Sequence, residues 1–439
     1  MDKIVFSAYV IATVVFNLTE NDILFYFAYI LGMLYCYKTK INNKGDYYLI
    51  KLCLYSIMIP SNYIILAALI YISFVNKNRA KSSYIIYSSF GGLYLLFNII
   101  VNDIKMINLI FSIVYFIHIV FCMIFVDTLK LEEEEKENLI SFLKAVAFLQ
   151  GIALVTEYIF QHDAVVSAID FDWVSGTFGI YQGNIFLFYF LFNFIVFFDR
   201  YRKKRIDICY VLVSIVYIVM TGAICLICIF AFVIFVYLMI SEQIGKRMKI
   251  RALGLLIFLI TSFMIITPAW ITNAMVRIAE TDDKSIYISK LIDYENVYMN
   301  PYLSTDYEII GVGVGNYSSR AALTCTGIYL PTYNAFFEPS MSDFTTEYIY
   351  NKLNYCYDNK LGTLDTPFSE FISIKGEFGY IGIVFLLLFF ILLYSRNKNA
   401  SRIYIMFLFF SCFVENYLEF AKIVVLLYFS IIYFRAKSS

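Results

Sequence analysis

The polar stretch from Asn273 to Lys375 gathers the residue types that hold anions and move protons. Its cations are Arg277, Lys284, Lys290, Arg320, Lys352, Lys360 and Lys375, set among thirteen carboxylates. That acidic balance excludes a general anion-attracting surface and leaves a local clamp. Arg277 follows an apolar run by a few residues. A guanidinium there either meets phosphates at the level of lipid headgroups with fork geometry or snorkels to the interface. Asp365 and Glu370 precede a glycine-bearing apolar run, and either is a candidate general base on a sugar hydroxyl. Between Arg277 and Asp365 the run Gly311-Val312-Gly313-Val314-Gly315-Asn316-Tyr317 permits positive φ and close backbone approach. It reads as exposed amides facing an anionic or sugar ligand, or as a plain tight turn. No Gly-Lys-Ser/Thr follows, so it is not a Walker loop.

The elements that must position these residues are set by composition. Of 439 residues 61% are apolar and only 15% charged, with mean hydropathy +0.73, whereas a soluble domain carries about a quarter charged residues. A water-soluble enzyme is excluded. Lys+Arg equals Asp+Glu at 34 each, so no basic excess favours a nucleic acid. At about 20 apolar residues per crossing, the chain reads as an all-α polytopic membrane protein with about 12–14 transmembrane helices and one large extracytoplasmic loop. Single crossings are expected at Ile4 to Asn17, Asp22 to Tyr37, Tyr84 to Val101, Met106 to Val126, Leu139 to Phe160, Phe178 to Phe198, Ile250 to Thr272 and Phe378 to Tyr394. Tyr47 to Asn76, Ile206 to Ile240 and Ile403 to Phe434 read as hairpins of two short helices.

Basic clusters at Lys38/Lys40/Lys44, Lys77/Arg79/Lys81, Lys130/Lys136, Arg200 to Arg205, Lys246 to Arg251, Arg396 to Arg402 and Arg435/Lys437 place those loops and both termini inside. The resulting division is an N-terminal bundle over 1–272, the outer loop over 273–375 and C-terminal helices over 376–439. Leu131 to Glu137 (LEEEEKE) reads as a solvated helix start rather than a metal site. Seven cysteines lie in apolar runs, where a thiol is a small hydrophobe. Cys325 and Cys356 in the outer loop form a bridge or remain two thiols. The two histidines, His118 and His162, are too few and too far apart for a metal cluster, so no cofactor is expected. Glu157, Glu415, Glu419 and Lys422 lie in or beside outer helix ends, where ionisable groups often face a cavity; a Glu419–Lys422 pair is the plain alternative.

The order of these features resembles the O-antigen polymerase and ligase superfamily, the Wzy-type and WaaL-type membrane glycosyltransferases of bacterial surface polysaccharide. Ser175-Gly176-Thr177-Phe178 with Gly183-Asn184 resembles the family's Gly-Thr-Phe then Pro-Asn helix entry. Arg277, Asp283, Ser285 and Lys290 resemble its Arg, Asp-x-Ser and Arg spacing. Gly311 to Tyr317 matches its Gly-x-Gly-x-Gly-x-aromatic, and Gly379-Tyr380-Ile381-Gly382 its Gly-(aliphatic)2-Gly. Phe368-Ser369 stands where ligases carry His-Asn, which favours the polymerase. Lys290 replaces an arginine, and the arginine ahead of Gly176 is missing.

The resemblance implies a GT-C-like, metal-independent transferase that polymerises polyprenyl-pyrophosphate-linked oligosaccharide repeats on the outer face of a bacterial cytoplasmic membrane. The alternatives are ligase-like transfer to another acceptor and a lipid-linked glycan flippase. A chain-length regulator and a flippase are the implied partners. Arg277, Lys290 and Arg320 would grip the pyrophosphate. Asn184, Gly311, Gly313, Gly315 and Tyr317 would contact substrate, and Tyr298, Tyr302, Tyr317 and Tyr333 would stack on sugars or anchor the interface. On this reading Arg277→Ala abolishes chain extension while the protein still inserts, as gel profiles of the polysaccharide will show. Asp365→Ala and Glu370→Ala, run alongside, identify which carboxylate is the base.

Overall fold

The computed structural model describes residues 3–19, 21–42, 46–61, 63–77, 82–160, 176–178, 182–201, 207–240, 254, 289–299, 305–358, 366–397 and 400–435. Among them every regular element is helical. The first seven are α1 (Lys3–Thr19), α2 (Ile23–Asn42), α3 (Tyr47–Ile57), α4 (Ile64–Asn76), α5 (Ser82–Val101), α6 (Met106–Ile124) and α7 (Glu133–Phe160). Then come α8 (Gly183–Tyr201), α9 (Ile208–Met220) and α10 (Ile224–Ile240). The polar stretch contributes α11 (Ser289–Tyr298), α12 (Thr305–Ile310), α13 (Arg320–Cys325) and α14 (Asn351–Asp358), and the chain closes with α15 (Glu370–Arg396), α16 (Ser401–Ser411) and α17 (Ala421–Phe434).

Among the described residues, four stretches, Met106–Thr128, Glu133–Glu157, Gly183–Arg200 and Glu370–Arg396, are long and apolar enough to cross a bilayer, and nine further apolar helices are shorter. The segment Ile250 to Thr272, expected to cross, lies outside the described residues. α7 starts at Glu133, inside the acidic run read as a helix start, because carboxylates suit a helix N-terminus and Glu135 accepts a hydrogen bond from the Glu132 amide at 2.8 Å. α15 starts at Glu370 rather than at Gly376, because Ser369 caps it by accepting from the Ile372 amide at 3.3 Å.

α8 and α17 form the centre. From Ile185 to Phe192 every α8 side chain is apolar and fully buried, and α17 buries all but its first and last residues. α17 packs against both α8 and α6. At one end of the bundle the predicted inner loops meet. Arg200 bridges Glu137 and Asp207, Lys144 also pairs with Asp207, Asp46 accepts from the Lys130 amide, and Arg435 pairs with Asp127. The polar stretch meets the opposite end.

α15 is broken at Gly379, whose backbone (φ 63°, ψ −160°) lies in a region open essentially to glycine alone. The break removes intrahelical donors from the carbonyls just before it. Val312 and Gly313 donate their amides to the Gly376 and Glu377 carbonyls at 2.9 and 3.2 Å. Asn98 also donates to the Glu377 carbonyl at 3.2 Å, and the Tyr94 hydroxyl donates to that of Phe378 at 2.7 Å. A Cβ at Gly379 would lie 2.2 Å from the Ile309 carbonyl oxygen. Gly379→Ala is therefore expected to destabilise the protein by more than about 3 kcal/mol, read as a large fall in melting temperature in detergent against an Ala control on the exposed face of α15.

Candidate functional site

The site is built where the polar stretch drops onto the ends of α6, α15 and the turn joining α16 to α17. Ser319 caps α13, accepting from the Ala322 amide at 3.3 Å, and so fixes Arg320 as the first helical residue. α13 packs on α6. The Arg320 guanidinium lies 3.6 Å from the Phe420 ring centre, 5.3 Å from that of Tyr329 and 5.6 Å from that of Tyr115. Such stacking suits a weakly hydrated, delocalised cation. The side chain is half-buried, its Nε has no hydrogen-bond partner, and among the described residues no carboxylate pairs with it.

Carboxylates nevertheless surround it. Glu419 accepts from the Arg320 backbone amide at 2.8 Å, leaving its other oxygen buried without a partner. Glu370 accepts from the Leu418 amide at 3.0 Å and likewise leaves one buried oxygen unpartnered. Glu415, on the same turn, is half-buried and feels both Arg320 and Lys290. Burial, together with the neighbouring Glu370 and Glu377, holds the Glu419 carboxyl well above the usual carboxylate range. Burial also raises Glu415, against the opposing pull of the two cations. Burial lifts Tyr357 to about 12. Lys290 is buried and donates to the Val414 carbonyl and, at 3.4 Å, to Thr366.

The turn itself is held from three sides. Asn416 donates to the Ser318 carbonyl at 3.0 Å and accepts from Ser373 at 3.2 Å. His118 bonds the Leu418 carbonyl at 2.8 Å. This network sets Glu415 and Glu419 against Arg320.

The glycine run behaves differently from an open cradle. Gly311, Gly313 and Gly315 do adopt positive φ (77°, 103° and 73°). Their amides, however, are committed inside the protein. The Glu377 carboxylate accepts from Gly315 at 2.8 Å, Ser319 at 3.0 Å and Tyr317 at 3.3 Å, while Asn98 accepts from Val314 at 3.0 Å. The carboxylate occupies the concavity that an anionic ligand would need. Tyr317 is buried beneath it, and Tyr333 is buried against Phe111. Tyr298 donates to the Phe371 carbonyl at 3.0 Å.

Of the residues singled out in the sequence, the structure brings Arg320, Lys290 and Glu370 together around the α16–α17 turn. Asn184 stands in the first turn of α8. Arg277, Asp365 and Tyr302 lie outside the described residues. Lys422 does not pair with Glu419; it donates to the Ile59 carbonyl at 2.6 Å and to Gln182 at 3.0 Å. Cys325 and Cys356 are free buried thiols, the former raised to about 11 by burial. Tyr115, His118 and Glu377 were not singled out for this role. On α6 the polar residues Asn108, Ser112, Tyr115 and His118 recur every three or four positions, a polar stripe at helical spacing on an apolar helix that marks the face turned to the site. No family model, curated protein or solved structure matches the chain.

The raised Glu419 carboxyl gives a signed expectation. Its protonated form is favoured in the folded state, so the stability it lends is full below the unfolded carboxylate pKa and is lost as pH rises through the folded one. Melting temperature in detergent should fall along that rise. Glu419→Gln keeps an acceptor for the Arg320 amide and should flatten the slope, which for one group is at most about 1.4 kcal/mol per pH unit.

Proposed function

We propose that this chain is a metal-independent membrane glycosyltransferase. It joins polyprenyl-pyrophosphate-linked oligosaccharide repeats into a surface polysaccharide on the outer face of a bacterial cytoplasmic membrane, with both termini inside. The observation that carries this reading is Arg320, a guanidinium that no carboxylate pairs among the described residues and that aromatic rings wall in beside α6. Its depth supports the assignment. Tyr115 is nine residues past Met106, roughly 14 Å along α6 at about 1.5 Å per residue. A cation so far down a spanning helix marks a substrate path, and a diphosphate tethered to a lipid arrives at that level.

Arg320 neutralises the pyrophosphate, and Lys290 adds positive potential through the turn. We assign the proton-accepting role to Glu415, a partly exposed residue that feels both cations, whereas Glu370 and Glu419 are buried residues. In the reaction the acceptor hydroxyl gives its proton to Glu415 while its oxygen bonds to the anomeric carbon. The bond from that carbon to the phosphate oxygen breaks, and the electron pair leaves on the pyrophosphate beside Arg320. Configuration inverts. Holding the reactants in line and stabilising the leaving charge supply most of the acceleration. Tyr329, beside Arg320, and Tyr357, whose ring lies 6.5 Å from that of Tyr329, offer rings to the sugars.

Purified protein in vesicles with a lipid-linked repeat tests this. Arg320→Ala should lower chain extension by about 10²-fold or more, with Arg320→Lys intermediate. Glu415→Gln should lower kcat by about 10²-fold or more and remove the rise in rate with pH that the raised Glu415 carboxyl gives the parent. Transbilayer movement of the lipid-linked sugar without elongation would refute the assignment.

A further inference from the structure

The segment after α13 carries a surface that the reaction does not use. A 3-10 turn, Pro331–Ala335, is followed by Phe336 and Phe337, which are 79% and 47% exposed. Two adjacent phenylalanines left this open on a polar segment call for a partner. Their position names it. The Phe111 ring of α6 lies 5.6 Å from that of Tyr333 and 6.2 Å from that of Phe337. Phe111 is five residues past Met106, roughly 8 Å along the helix at about 1.5 Å per residue. The headgroup boundary on this side is marked by Lys105, which precedes α6 and donates to the Met341 carbonyl at 2.6 Å, and by the exposed Glu338. Phe336 and Phe337 therefore sit next to an α6 surface on which Ile110 and Ile113 are about half exposed, at 50% and 46%. That surface belongs to a helix long and apolar enough to span the bilayer.

We infer that Phe336 and Phe337 form a wedge inserted among the acyl chains of the leaflet at this end of α6, continuous with the helix's lipid-facing surface. The polar segment is then fastened to the membrane by its own side chains as well as by its contacts to the helices. Burying two aromatic side chains supplies a favourable hydrophobic term, and rings at the boundary are the usual anchors of membrane proteins.

The test replaces Trp173 and Trp270 with Phe, introduces Phe336→Trp or Phe337→Trp, and reconstitutes each protein in phosphatidylcholine vesicles with plain or chain-brominated lipids. Both new tryptophans should emit at short wavelength, and brominated chains should quench them by roughly half or more, as for a side chain among acyl chains. Two positions are used so that a variant that fails to fold leaves the other decisive. Long-wavelength emission insensitive to bromine would overturn the wedge by placing the rings in water. Short-wavelength emission insensitive to bromine would equally overturn it, assigning the surface to a protein partner or a second copy of the chain.

Discussion

A helix interrupted inside an apolar environment must find new donors for the carbonyls it strands, and at Gly379 that requirement organises the half of the protein where the chemistry is proposed. Water cannot serve them there. The donors come from two places, the glycine run and the polar residues Tyr94 and Asn98 of α5. Asn98 works in both directions, giving hydrogen bonds to the Ile310 and Glu377 carbonyls and taking one from the Val314 amide. The glycines are required because backbone meets backbone. A Cβ at Gly311 would fall 2.2 Å from the Glu377 carbonyl carbon. The polar stretch is thus sewn into α15, and Arg320 is delivered to its position as a result.

The second organising feature is charge held out of water. An ionised carboxylate in an apolar site is costly unless paired and hydrogen-bonded. Glu377 receives three backbone N–H groups. Glu370 and Glu419 each receive one and keep a bare oxygen. At Glu419, outside the spanning stretches, burial and the neighbouring carboxylates favour the neutral acid, and a neutral Glu419 opposes an anion at Arg320 less than an ionised one would.

The helical plan was legible because apolar runs and basic clusters are strong, local signals. The short hairpins at Tyr47 to Asn76 and Ile403 to Phe434 were readable from length alone. Arg320, Lys290 and Glu370 could be picked out as charged residues near the membrane. Their assembly through the α16–α17 turn could not, since it depends on contacts between residues 48 to 124 positions apart. The glycine run was readable as a backbone needing positive φ. What fills it was not, because a carboxylate on α15 and a ligand phosphate make the same demand on amides. The polar stripe on α6 was the overlooked clue, since a hydrophobicity window averages away four polar residues that all face one way.

The thiols of Cys325 and Cys356 carry a practical consequence. Both are enclosed and unlinked, so the polar segment owes its shape to packing and backbone pairing with no covalent cross-link. Its folding should then be indifferent to redox environment. Protein made under strongly reducing conditions, in a cell-free system supplied with detergent or lipid, would reach the same structure as protein exported to an oxidising compartment.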